Sequence, residues 1–367
     1  MDKLKDIWNE KKKLILTITI GVVVFILIIV LIILLVKIFT RYDYASTEKM
    51  MVSATTEYLK TNKDLLPTDD MSTITVMYDT LVGGKYIKEM SKVSKDSSCS
   101  GSVDVYKNNN KYYYIPILSC DNYETKTLTD KILESEEIAT KDDGLYSLNE
   151  NYVYRGEFVN NYFKFMNTTW RIIKWDDDKI YLISADTLDN KVNYVFDDRY
   201  NETVNNQKGY NTFESSRIYN SLESYYRNNF KNYEKYLQTM DSCVHSRSEN
   251  DKDKTGTIEC TKTFTSLISL LSTYDYMNAS IDSLCNKISE RNCSNYNYLS
   301  KTTNKWWLLN GTNENTYEVY SSNASGVISL DAANNKKFLR PVVAIPTHML
   351  YKSGNGTSDS PYEIYEY

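Results

Sequence analysis

The chain has 367 residues, 41% hydrophobic, 13% aromatic and 25% charged, a composition that excludes a disordered or collagen-like chain and is large enough for two or three structural units. Net charge is −5, but residues 1–41 carry seven basic against three acidic side chains, leaving 36 basic against 45 acidic in the rest. An acidic body argues against nucleic acid as a partner, because that affinity rests on basic groups neutralising phosphates. The two histidines, His245 and His348, exclude a multi-histidine metal centre.

Residues 14–36 read LILTITIGVVVFILIIVLIILLV, 23 residues without a charge, long enough as a helix to cross about 30 Å of hydrocarbon. The spacing predicts an uncleaved transmembrane signal-anchor, with residues 1–13 as a cytoplasmic tail. A cleavable signal peptide has a shorter apolar region followed by small residues, whereas Lys37, Phe39 and Arg41 follow here. Trp8 on one side and Phe39, Tyr42 and Tyr44 on the other suit the two lipid interfaces. Five lysines before the span against Lys37, Arg41 and Lys49 after it put the N-terminus in the cytoplasm and residues 37–367 outside the cell, a single-pass arrangement with the lipid bilayer as a partner.

Residues 46–62 carry Met51, Ala54, Tyr58 and Leu59 at three- and four-residue steps, which predicts an amphipathic helix capped by Ser46 or Thr47. A second short helix is expected over 74–82, ending at Gly83-Gly84. Residues 100–120 then read as a β-hairpin turning at Asn108 to Asn110. With the turn centred on Asn109 and Asn110, Val105 faces Tyr114 and Cys99 faces Cys120, so a disulfide closing the hairpin is the favoured pairing. Cys243 with Cys260 and Cys285 with Cys293 would each close a short polar loop. Six cysteines allow 15 complete pairings, and all six lie after residue 98, which suits an oxidising exterior. The helix-plus-hairpin module, 46–125, resembles a type IV pilin or pseudopilin head, without the pilin leader, cleavage-site glycine and glutamate.

Residues 126–143, rich in Lys, Glu, Asp and Thr, read as a linker. From Gly144 onward, strands are expected over 170–175 and 180–184, joined by Asp176 to Asp178. Ile218, Leu222, Tyr226, Phe230, Tyr233, Leu237 and Met240 predict one helical face from Ser215 or Ser216, broken near Asn228-Asn229. The stretch 266–280 passes at Ser272 from strand to helix, with Asp275 as a capping partner. Strand-like KWWLLNG, a hairpin turning at Asn323 to Gly326, and FLRPVVAI follow. Strands on both sides of central helices argue for an α+β class.

YRGEFVNNYFKFMNTTWRIIKW, SLLSTYDY, KWWLLNG, SSNASGVISL, FLRPVVAI and SGNGTSDSPYEI occur in that order. Together they resemble an uncharacterised exported module of low-GC Gram-positive bacteria, over 144–367. That module is distantly similar to C-type-lectin-like domains of the formylglycine-generating kind, which implies a mixed sheet with flanking helices. The module commonly carries WWLRSP where this chain has Trp306 to Gly311, and no cysteine follows Cys293, so neither the arginine and serine nor a catalytic cysteine pair carries over.

Trp306, Trp307, Tyr317 and Tyr320 lie on adjacent expected strands, where alternate rings could form a ligand-binding platform, the other rings being core. Asp251, Asp253, Thr255, Gly256 and Thr257 match positions 1, 3, 5, 6 and 7 of a calcium loop, with Glu259 at position 9, but position 12 is Lys262 instead of a bidentate glutamate. Calcium is therefore the one cofactor to consider, against a solvated loop pinned by a disulfide. Cys243 and His245 do not form an activated dyad, no phosphate loop or hydrolase motif is present, and the chain reads as a non-enzyme. Arg340 is expected to be a buried cation paired with a carboxylate. The expected role is a membrane-anchored surface protein recognising an envelope or extracellular ligand, a glycan or a surface protein. The alternatives are a structural subunit of a pilus-like or membrane assembly, and an enzyme built on the distal fold.

Overall fold

The computed structural model describes residues 25–26, 28–30, 42–69, 72–108, 111–148, 150–188 and 192–365. It is mixed α/β, mostly sheet with few helices, in two compact units, Met1–Glu124 and Thr125–Tyr367. Among the described residues no helix is long and apolar enough to cross a membrane. This corrects the expected transmembrane helix, the fold class built around it and the single-pass membrane placement. The longest described helix has 18 residues but carries Glu48, Lys49, Glu57 and Lys60, whereas a span needs about 20 predominantly apolar ones. The 14–36 stretch lies outside the described residues except for Phe25, Ile26, Ile28, Ile29 and Val30, which are helical and exposed, and the 1–13 tail lies wholly outside them.

In the first unit, α1 (Tyr44–Thr61) buries Met51, Ala54 and Leu59 against the sheet. Its cap is Asp43, whose carboxylate accepts from the Ser46 backbone N–H at 2.8 Å, one turn earlier than the serine or threonine expected. β1 (Thr73–Met77) runs straight into α2 (Tyr78–Gly83), and α3 (Met90–Val93) follows. One helix was expected over 74–82, but β-branched Thr73, Ile74, Thr75 and Val76 pair with residues 103–106 and make the first half a strand. β2 (Ser100–Asn108) and β3 (Lys111–Cys120) form the hairpin in the expected register, Val105 facing Tyr114, and β4 (Tyr123–Glu124) completes an antiparallel β1-β2-β3-β4 sheet. The turn residues 109–110 lie outside the described residues.

The second unit opens with α4 (Leu128–Ser135), capped by Thr127. The expected linker 126–143 is thus partly a core element, because Leu128 and Ile132, four residues apart, share one face and are fully buried. The main sheet uses β5 (Gly144–Leu148), β6 (Asn151–Arg155), β7 (Tyr162–Phe165), β8 (Thr168–Trp175) and β9 (Lys179–Ser184). After β10 (Tyr194–Val195) comes α5 (Arg217–Asn229), capped by Ser216 and burying Ile218, Leu222 and Tyr226. It ends at Asn229, capped by Phe230, where the expected break near Asn228-Asn229 falls, and gives way to a 3₁₀ turn over Lys231–Tyr236. β11 (Met240–Cys243), β12 (Thr263–Ser266), β13 (Ser269–Leu270) and α6 (Thr273–Asn278) follow, then β14 (Trp306–Gly311), β15 (Glu318–Ser322), β16 (Ile328–Ala332), β17 (Lys336–Lys337), β18 (Pro341–Pro346), β19 (Tyr351–Ser353) and β20 (Glu363–Ile364).

The seven-stranded sheet runs β13-β18-β9-β8-β6-β5 with β7 also on β8, all antiparallel, and β14-β15-β16 form a second sheet. Every residue of β14 and of β18 is buried, so both strands have both faces covered. Arg340, directly before β18, is fully buried, but its guanidinium donates to the carbonyls of Ser184, Leu299 and Ala185 rather than to a carboxylate. Backbone acceptors satisfy the cation without a second charge having to be desolvated.

Candidate functional site

The expected aromatic platform is interior. Trp306, Trp307 and Tyr320 are each 0% exposed, and Tyr317 is half-buried with the Lys208 ammonium 4.2 Å above its ring. Alternation exposes one ring of a Trp-Trp pair only when one face of the strand meets solvent, and β14 has none. Trp307 donates through Nε1 to the Tyr194 carbonyl at 2.9 Å and meets Phe196 edge-on, while Trp306 lies 5.0 Å from the Arg340 guanidinium. Trp306, Trp307 and Tyr320 are core and offer no platform, and Tyr317 alone of the four reaches the surface.

The calcium-like loop contains a cation of its own. Glu259 is fully buried, and its Oε1 accepts from Arg247 at 2.7 Å and from Thr273 at 2.6 Å. The same guanidinium donates to the carbonyl of Asp251 at 2.8 Å and of Asp253 at 3.2 Å. The Asp251 carboxylate accepts from the Ser248 N–H, and Asp253 Oδ1 from Thr255, whose hydroxyl also lies 2.6 Å from that of Thr257. Glu259 Oε1, the Asp251 carboxylate and Asp253 Oδ1 are engaged by Arg247, Thr273 and local turns, only Glu259 Oε2 of their buried oxygens is left without a partner, and position 12 is Lys262, so this donor set does not fit calcium. All six cysteines form disulfides, Cys99–Cys120, Cys243–Cys260 and Cys285–Cys293, which leaves Cys243 no thiol for chemistry with His245.

A cleft of about 430 Å³ in the second unit is lined by Lys164, Asn167, Lys352 and Glu363, with Lys352 paired to Glu363 at 2.7 Å, and two further clefts gather polar groups. The smaller, of about 60 Å³, is lined by Lys174, Tyr181, Ser272, Tyr274 and Asp275. Lys174 donates to Asp275 at 2.7 Å and to the Tyr274 hydroxyl at 2.8 Å, and Asp275 also accepts from the Ser272 hydroxyl that caps α6. Burial opposes the charge on Lys174, but the facing Asp275 carboxylate and Tyr274 hydroxyl outweigh it and hold the amine well above its ordinary range. An amine fixed in the charged form is neither base nor nucleophile, and this cluster braces β8 against α6.

The larger cleft, of about 310 Å³, is made by four segments. β6 and β8 place Tyr152 directly across from Trp175, so the half-buried tyrosine stacks on the buried tryptophan with ring centroids 5.0 Å apart and planes 21° from parallel. α4 contributes Asp130 and Leu133, the β8–β9 turn Asp176 and Asp177, and the segment after β18 Thr347 and His348. Thr347 braces the turn, its hydroxyl donating to the Asp177 carbonyl at 2.8 Å and its N–H to the Asp178 carbonyl at 3.0 Å. Asp176 is committed to the turn, accepting from the N–H groups of Asp178 and Lys179, whereas the Asp130, Glu150 and Asp177 side chains are exposed at the rim. Burial pushes the His348 imidazole down to about 3, so it faces the cleft neutral. Among the described residues no lysine or arginine lines this cleft.

Of these lining residues the sequence marks Trp175 as a strand residue and Asp176 and Asp177 as turn residues, but it gives no sign that they share a cleft with Tyr152, α4 and His348. In the first unit an opening of about 850 Å³ lies between α1 and residues 82–93, but its charged lining is exposed and partly self-paired, as in Lys92 with Glu89 at 3.0 Å. Comparison with known proteins finds no matching family model, no matching curated protein and no matching solved structure.

Proposed function

We propose that the second unit is a non-catalytic recognition module that takes a saccharide in the Tyr152–Trp175 cleft. The observation that carries this reading is the stacked aromatic pair set among hydroxyls, a neutral imidazole and rim carboxylates, in a volume suited to one or two sugar rings. An aromatic face accepts the apolar C–H face of a pyranose, while carboxylates and threonine hydroxyls bond its O–H groups. With four acidic side chains and no lysine or arginine lining the cleft among the described residues, neutral or amine-bearing sugars are favoured over anionic ones.

Isothermal titration with cellotetraose, chitotetraose and tetragalacturonate tests the reading. The expected result is binding of at least one of the first two and none of the third, with Tyr152→Ala weakening the bound sugar about tenfold, the worth of one stacked ring. Absence of binding by all three, or an unchanged affinity in Tyr152→Ala, overturns it.

A further inference from the structure

We infer that reduction of the Cys99–Cys120 disulfide converts the base of the β2–β3 hairpin into a site for a thiophilic divalent cation, Zn²⁺ above all, ligated by the two thiolates and the Asp96 carboxylate. The inference concerns the first unit and is independent of the cleft described above.

Geometry carries it. The two sulfurs and a carboxylate oxygen of Asp96 lie within 4.8 Å of one another, and among the described residues no other three His, Cys, Asp or Glu side chains come so close. A tetrahedral zinc with sulfur at about 2.3 Å and oxygen at about 2.0 Å needs its ligands about 3.5 to 3.8 Å apart. Parting the sulfurs from bonding contact and drawing the carboxylate in by at most about 1.3 Å meets that requirement. Asp96 is already oriented. Its Oδ1 accepts from the Ser98 N–H at 2.9 Å and the Ser98 hydroxyl at 2.7 Å, and its Oδ2 from the Tyr44 hydroxyl at 3.3 Å. Ser98 Oγ also accepts from the Asp121 N–H at 3.0 Å, which ties the Asp96 loop to the residue after Cys120. Such outer hydrogen bonds hold a ligand in place before the metal arrives. The fully buried Ser94 hydroxyl, 3.6 Å from Cys99 Sγ, closes the inner side.

The chemistry balances with a dithiol or a phosphine as reductant. The dithiol leaves as its own disulfide and gives its two hydrogens to Cys99 and Cys120, or the phosphine leaves as its oxide with the oxygen of one water whose two hydrogens go to the sulfurs, and the cation displaces two protons as it takes the thiolates. Two thiolates and a carboxylate carry three negative charges, so a divalent cation with one water completes a four-coordinate site. In the oxidised chain the sulfurs are bonded to each other and the site does not exist.

The test uses the full chain, reduced with a phosphine under argon, with and without equimolar Zn²⁺, then pulsed with iodoacetamide and read by peptide mass spectrometry. Zn²⁺ is expected to slow alkylation of Cys99 and Cys120 at least tenfold, and Co²⁺ in its place to produce a thiolate-to-metal charge-transfer band that a Cys99→Ser/Cys120→Ser chain lacks. Asp96→Asn, which keeps the size of the side chain, is expected to weaken protection by about tenfold. Equal alkylation with and without Zn²⁺, a charge-transfer band retained without Cys99 and Cys120, or full protection in Asp96→Asn overturns the inference. The alkylation comparison on the unaltered chain decides the matter even if a variant does not fold.

Discussion

Arg247 shows how a single residue can replace an ion. The spacing of Asp251, Asp253, Thr255, Thr257 and Glu259 is that of a metal loop, yet the loop closes on a guanidinium at 0% exposure. Around it, Thr273 bonds both Glu259 and Asn310, and Asn310 donates to the carbonyls of Cys243 and His245. Removing one partner of such a pair strands a charge in a dry site. Arg247→Met is therefore expected to lose about 3 to 5 kcal/mol in urea denaturation, and adding Glu259→Gln to recover at least half of it. A double variant no more stable than the single one would show that lost packing, not the orphaned carboxylate, dominates. Nothing in the local pattern distinguishes an arginine that fills the loop from one in solvent, since Arg247 sits in the polar run HSRSEND.

At the scale of elements, local signals read well where the cause of the structure is local. The hairpin register, the Ser216 and Ser272 caps and the α5 face of Ile218, Leu222 and Tyr226 all follow from neighbours within a few residues. They failed where a distant partner decided, as when β1 was recruited by β2, or when α4 was drawn into the core by Leu128 and Ile132. Gly101 in β2 marks such a distant contact. A Cβ there would stand 2.7 Å from Met51 Cε on α1 and 2.9 Å from the Ile117 carbonyl on β3. Gly101→Ala is expected to cost about 1 to 3 kcal/mol. Met51→Ala in the same chain should fail to restore the loss, because the methionine can give way but the strand carbonyl cannot. Full rescue by Met51→Ala, read from urea midpoints, would show that the helix contact alone sets the limit.

For the molecule as a whole, the described residues form two hydrophobic clusters, one in each compact unit, and each of the three disulfides joins cysteines of one unit. Acid stability offers a global test through His348. Its folded-state value, about 3, lies below the ordinary 6.5, so the unfolded chain binds the extra proton between those limits. Stability from this group is complete above pH 6.5 and lost as pH falls toward 3. His348→Gln is expected to flatten the loss of unfolding free energy between pH 7 and pH 4.5 by about 1 to 2 kcal/mol once partial exposure is allowed for, read from urea denaturation at each pH. Parallel pH profiles for the two chains would refute the assignment.

Read alone, the amino-acid order determined what rests on near neighbours: the cystine that closes the hairpin, the Ser216 and Ser272 caps, the turn at Asp176 to Asp178 and the strands that flank it. Tertiary packing alone decided which faces meet water. It sank Trp306, Trp307 and Tyr320, turned Glu259 inward to Arg247, gave Arg340 carbonyls in place of a carboxylate, and joined Tyr152 to residues as remote as His348 in one cleft. The reason is physical. Periodicity records that a side chain is apolar or charged, whereas its burial depends on what the rest of the chain lays over it.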